Sequence, residues 1–161
     1  MDRKARLQEL LNKQKQKEYA QEKKNAYETV LEEVNELFPI SDGNVEILSE
    51  EESQAIVNEL FEVFPFYENG INWDLMSHKT FYSNSSDYES SLGELINRKH
   101  KLENEISYII DLNFQHVIET KLTIILYRIE EIRTWDRYIY CPQFKLVIEF
   151  PSNFIAVGWK E

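Results

Sequence analysis

Glycine and proline are scarce in this chain, four of each in 161 residues, and cysteine occurs once. Gly43, Gly70, Gly93 and Gly158 stand far apart, so there is no glycine-rich loop to cradle a phosphate, and nucleotide binding by that route is excluded. Cys141 has no second cysteine with which to close an internal disulfide. The opening MDRKARLQELL lacks the apolar stretch of a secretion signal. No run approaches the ~18 apolar residues that a membrane span needs, the nearest being SYIIDL and TIILY. These absences set the expectation of a cytoplasmic protein without a membrane span.

Ligand and nucleophile patterns are thin as well. His78, His100 and His116 are isolated from one another, and the nearest candidate pair for a metal, His116 with Glu119, reads more simply as part of a solvated loop. No Gly-x-Ser-x-Gly turn is present, and Cys141 lies in an apolar stretch, where a buried small hydrophobe is the plainer role. The expectation is therefore a protein with no cofactor, no metal and no catalytic residues.

Positive charge is missing from one long segment. Residues 1–24 carry eight basic and four acidic side chains, residues 25–97 carry sixteen acidic side chains and only Lys79 as a base, and residues 98–161 hold nine of each. The net charge of −11 thus comes from a middle block at −15 that follows a start at +4. Such a block repels nucleic acid and steers basic proteins toward whatever surface it occupies.

What is abundant is helix-forming and β-forming sequence. With 42% hydrophobic and 13% aromatic residues the chain has enough apolar mass for one packed domain. From Asp2 to about Phe38 there is neither Pro nor Gly, which predicts one long helix or two in line, ended by Pro39. Its later apolar residues, Tyr27, Val30, Leu31, Val34, Leu37 and Phe38, have helical spacing and should dock. The stretch before them is nearly all polar apart from Leu7, Leu10 and Leu11 and should project. The division expected is a basic helical extension over 1–24 and a single α+β domain over 25–161.

Ser49 with Glu52 three residues on forms a capping box for a second helix, with Ile56, Leu60, Val63 and Phe64 on one face and Pro65 beyond its end. Asn69-Gly70 suggests a hairpin, with strands near Ile71–Leu75 and His78–Tyr82. Ser86 or Asp87 can cap a third helix through Leu92, Leu95, Ile96 and Leu102. Ile106–Leu112 reads as a strand, and Leu122, Ile125, Leu126 and Ile129 predict a helix that ends near Arg133. Asp136–Cys141, Phe144–Phe150 and Phe154–Trp159 read as three strands of an antiparallel meander, turned at Pro142 and Pro151. Along the middle strand Phe144, Leu146, Ile148 and Phe150 alternate toward a core, while Lys145 and Glu149 are expected on a wetter face with Arg137. The fold class is α+β: a long N-terminal helix and further helices packed on a C-terminal antiparallel meander.

The segment from Ser107 onward resembles the C-terminal half of the immunity proteins that bacteria encode beside polymorphic or contact-dependent toxins. The likeness lies in a strand, a short helix, Asp136 with Tyr138-Ile139-Tyr140, the strand Val147-Ile148-Glu149-Phe150 and a closing Gly158-Trp159. It covers about a third of the chain and transfers no binding residue. It implies an immunity or antitoxin-like protein, not an enzyme, that neutralises a basic toxin domain. The acidic block would supply the contact through Glu50, Glu51, Glu59, Glu62, Asp74 and Asp87, with Trp73 and Tyr88 as aromatic anchors. Two other readings stay open: a metal-dependent hydrolase or nuclease that uses Asp136 and Glu149, and a coiled-coil adaptor that pairs through Leu7, Leu10 and Leu11.

Overall fold

The computed structural model describes residues 2–39, 44–83, 94, 105–134, 136–151 and 153–161. Helix α1, Arg3–Leu37, is unbroken and about 50 Å long at 1.5 Å per residue. Asp2 caps its start by accepting from the Lys4 amide, and it stops two residues before Pro39. Only its last third packs, through Val30, Val34 and Leu37, and every side chain from Asp2 to Asn25 is exposed. The exposed turns are held by pairs four residues apart: Gln8 to Asn12, Gln14 to Glu18, Gln21 to Asn25 and the ion pair of Lys13 with Glu9. Each such pair contributes a few tenths of a kcal/mol, about 0.2–0.5, to a helix with no tertiary support.

Seven strands form one antiparallel sheet: β1 (Glu46–Ile47), β4 (His78–Ser83), β5 (Ile106–Asp111), β6 (Ile118–Lys121), β7 (Arg137–Cys141), β8 (Leu146–Glu149) and β9 (Phe154–Trp159). Their spatial order is β1-β6-β5-β7-β8-β9-β4. A separate two-stranded hairpin joins β2 (Phe66–Tyr67) to β3 (Gly70–Ile71). The long helix, the further helices and the C-terminal meander are as expected, but the sheet extends well beyond the meander.

Helix α2, Glu50–Val63, begins at the predicted capping box: Ser49 Oγ accepts from the Glu52 amide at 3.2 Å and Glu52 returns the bond to the Ser49 amide at 3.1 Å. Glu50, Glu51 and Glu52 occupy its first turn, where negative charge opposes the positive end of the helix dipole. The helix expected to run to Arg133 is two short ones, α3 (Leu122–Tyr127) and α4 (Ile129–Ile132), separated by Arg128 at φ −107°, ψ 18°. Apolar spacing runs straight through the break, because Leu122, Ile125, Leu126, Ile129 and Ile132 all stay buried on one side. Periodicity therefore does not reveal it.

The hairpin also differs from expectation. Glu68 and Asn69 make the turn, and Gly70 opens the returning strand at φ +127°. The strand expected over Ile71–Leu75 ends at Ile71: Trp73–Leu75 is a single 3-10 turn, and β4 pairs with β9, from His78 opposite Trp159 to Ser83 opposite Phe154. Pro142–Phe144 is another 3-10 turn, with Lys145 left-handed after it, so β8 starts at Leu146 and not at Phe144. The helix predicted from Ser86 or Asp87 lies outside the described residues.

The main correction concerns the wet face, which does not exist along β7 and β8. One side of the sheet packs on α1, α3 and α4, joining Ile139, Ile148 and Val157 to Val30, Val34, Ile125 and Ile129. The other side packs on α2 and the hairpin, joining Ile110, Tyr138, Tyr140 and Val147 to Leu60, Phe64, Ile71 and Met76. Every residue of β7 and β8 is buried, Arg137 and Glu149 included. Strands covered on both sides lose clean alternation, and Arg-Tyr-Ile-Tyr-Cys and Leu-Val-Ile-Glu do so.

Candidate partner-binding surface

The proposed contact residues fall into two groups. Glu50, Glu51, Glu59 and Glu62 all lie exposed on α2. At 100° per residue Glu51 and Glu62 share the middle of its outer face, with Glu50 and Glu59 on opposite flanks. The flanking acids are engaged: Glu50 pairs with Lys23 of α1 at 3.4 Å, and Glu59 accepts from the Tyr140 hydroxyl at 2.6 Å. Asp74 is exposed on the 3-10 turn, beside a half-buried Trp73. Whereas α2 reaches β6 and β7 through Ser53 to Val117 and Glu59 to Tyr140, Trp73 stands against Phe81 of β4. The two groups thus lie over different halves of the sheet. Asp87 and Tyr88 lie outside the described residues.

Between α2, the hairpin and the ends of β7 and β8 lies a groove of about 560 Å³. Rings line it in sequence: Phe61 meets Phe66 edge-on with centroids 4.5 Å apart, and Phe66 meets Tyr138 at 5.4 Å. Tyr67, Glu68 and Asp136 stand exposed along it. Glu149, only 5% exposed, lies at its buried end. Its carboxylate accepts from the Trp73 indole N–H at 2.5 Å, the Tyr138 hydroxyl at 3.2 Å and the Ile71 amide at 3.3 Å. All three donors are neutral. Burial raises the Glu149 pKa, and the hydrogen bonds from Trp73, Ile71 and Tyr138 pull against that rise. Burial and the adjacent Glu149 push the Tyr138 hydroxyl far up as well.

Gly70 makes this arrangement possible, since a β-carbon there would overlap Glu149 Oε1. Asn69-Gly70 was legible as a turn signal, but nothing local revealed that the glycine lies against a carboxylate 79 positions later. The signal for Glu149 itself was an acid embedded in the apolar run Val147-Ile148-Glu149-Phe150, a position that demands hydrogen-bond partners once covered.

The other candidates are separated by the fold. Asp136 and Glu149 do line the same groove, but Lys145 is turned toward the Glu161 carbonyl at 3.4 Å, and Asp136 accepts from the Asn113 side chain. Among the described residues no three of His, Cys, Asp and Glu converge as metal ligands. His116 hydrogen-bonds with the Leu48 carbonyl at 2.8 Å and meets Tyr27 edge-on. Burial pushes the Cys141 thiol up, which disfavours the reactive thiolate. Leu7, Leu10 and Leu11 are all exposed, on a side of α1 roughly 150° round from the docked Val30, Val34 and Leu37. Among the described residues no helix is long and apolar enough to cross a membrane.

The family model of the CdiI immunity protein, EcoliA0-like, matches residues 28–158. The chain belongs to the CdiI immunity family. The match takes in the docked end of α1, α2, the hairpin and nearly the whole sheet, and it leaves out the projecting part of α1. The likeness seen from Ser107 onward therefore extends over most of the chain. No curated protein matches this CdiI-family chain.

Proposed function

We propose that this CdiI-family chain protects its cell by binding one toxin domain and covering the surface that the toxin needs, with no reaction of its own. The family match over residues 28–158 carries the reading. Immunity of this kind is a matter of occlusion, and the chain offers a negative field for capturing a basic toxin quickly in the cytoplasm. The acids of residues 25–97 supply that field. Glu51 and Glu62 lie on the outer face of α2, and Glu50, Glu59, Asp74, Asp87, Trp73 and Tyr88 complete the proposed contact. Residues 25–161 act as one α+β domain and 1–24 as a basic helical extension to it.

The test uses the toxin domain encoded by the adjacent gene. Co-expression of the two should rescue growth, and the purified pair should form a stable complex whose association slows as salt rises. Growth arrest despite full expression of the chain, together with no complex by calorimetry, would overturn the proposal.

A further inference from the structure

The groove beneath the hairpin combines features that no part of the fold requires together. Its walls are aromatic, and Phe61, Tyr67 and Leu112 remain exposed around it, an unusual concentration of apolar surface at one opening. Three carboxylates, Glu68, Asp136 and Glu149, face the same space, while no Lys or Arg appears among its described lining residues. Arg137, the nearest cation in sequence, is turned to the opposite face of the sheet, where it holds Glu33 and Asp111. Glu149 adds an observation independent of the exposed acids: it is a buried carboxylate with neutral donors and, among the described residues, no counter-charge. Fully desolvated anions are normally matched by a cation. The hairpin places that carboxylate at the end of an open groove.

We propose that this groove receives a protruding lysine or arginine of the toxin, whose charge lies between Glu68 and Asp136 and whose stem or guanidinium plane packs on Phe61, Phe66 and Tyr67. The inference rests on the preceding reading that the partner is a toxin domain, and it names the place of contact and the chemistry that fills it. Aromatic faces attract cations and more strongly so where water is excluded, and Arg is enriched at such anchors. With a volume of about 560 Å³ the groove admits such a side chain together with the backbone turn that presents it.

The experiment measures affinity of the adjacent-gene toxin domain for the intact chain and for three variants: Glu68→Gln with Asp136→Asn, Tyr67→Ala, and a control, Glu130→Gln with Glu131→Gln on α4. The first two should weaken binding by roughly 10-fold to 100-fold, as loss of a paired or stacked interface anchor does, and the control should leave it unchanged. The double rim variant should also flatten the salt dependence. One toxin Lys→Ala or Arg→Ala substitution should lose its effect in the Glu68→Gln, Asp136→Asn background. That coupling distinguishes a direct contact from a loss of fold, which unchanged melting temperatures check separately. Wild-type chain that binds no toxin removes both readings, whereas tight wild-type binding that the rim variants and every toxin Lys or Arg leave uncoupled removes the groove proposal alone.

Discussion

Arg137 of β7 reaches Glu33 of α1, Nη2 to Oε1 at 2.6 Å, across 104 residues of sequence. The same guanidinium donates through Nε to Asp111 at 3.2 Å and through Nη1 to the Ile132 carbonyl at 2.9 Å. One buried side chain thereby ties the docked end of α1, strand β5 and helix α4 to the centre of the sheet.

Removal of that guanidinium should be costly, because Arg137→Ala leaves two carboxylates and a carbonyl facing a cavity. The expected loss is about 3–5 kcal/mol, the usual effect of breaking a buried pair from one side. Glu33→Gln should cost less, about 1–2 kcal/mol, since Asp111 still neutralises the arginine. Urea unfolding followed by circular dichroism measures both. Equal, small losses would mean that the network contributes little beyond its packing.

Gly70 is constrained twice, by its φ of +127° and by the proximity of Glu149. Gly70→Ala should destabilise by about 2–4 kcal/mol, with backbone strain and steric overlap adding together. In a Glu149→Ala background the overlap with the carboxylate disappears, leaving the strain and a tight 3.3 Å approach to the Tyr138 hydroxyl, so the same substitution should cost clearly less. A double-mutant cycle separates the two contributions. Additive costs would show that the carboxylate does not need the missing β-carbon.

The elements that were legible from sequence are those whose signals are local. Ser49 and Glu52 marked the start of α2, Pro39 and Pro65 marked helix ends, and Phe154–Trp159 was read with its observed bounds. What was not legible depends on remote chain. The groups that cover Glu149, Ile71 and Trp73, come from more than 70 residues earlier, and Glu33, which covers Arg137, lies farther away still, so neither burial is visible in the local pattern. The strand partner of β4 was missed for the same reason: β9 closes the chain, and its pairing with His78–Ser83 leaves no trace in either segment. Of the candidate contact residues, the acids of α2 were readable as a group, whereas the groove depends on Phe61, Tyr67, Glu68 and Asp136 meeting from three elements.

Deletion of residues 2–24 should leave the fold intact. Their side chains are exposed, and the described tie to the body is the Lys23 to Glu50 pair, about half exposed on both sides. Surface pairs of that kind contribute at most about 1 kcal/mol. The melting temperature should therefore fall by no more than a few degrees, and toxin affinity should persist if the contact lies within 28–158. A large loss of stability would mean that the basic segment belongs to the fold, against its proposed role as an extension.

The final prediction concerns pH, and its sign follows from the burial of Glu149, which has no cation against it among the described residues. Burial holds its folded pKa above the ordinary value of 4.5. Between the unfolded and folded values the native state therefore binds more protons than the unfolded chain, and stability falls as pH rises through that window. The contribution is fully present below about 4.5 and is lost once pH exceeds the folded value. Glu149→Gln removes the titration, and near pH 4 both it and the protonated wild-type carboxyl are neutral groups carrying a donor. The difference in stability between wild type and variant should therefore shift in the variant's favour as pH rises from about 4 toward neutrality. Paired urea titrations at several pH values measure the gap directly. A difference that stays constant across the range, or shifts in the wild type's favour, would show that the carboxylate is compensated in the folded protein, and with that the groove would lose its uncompensated negative floor.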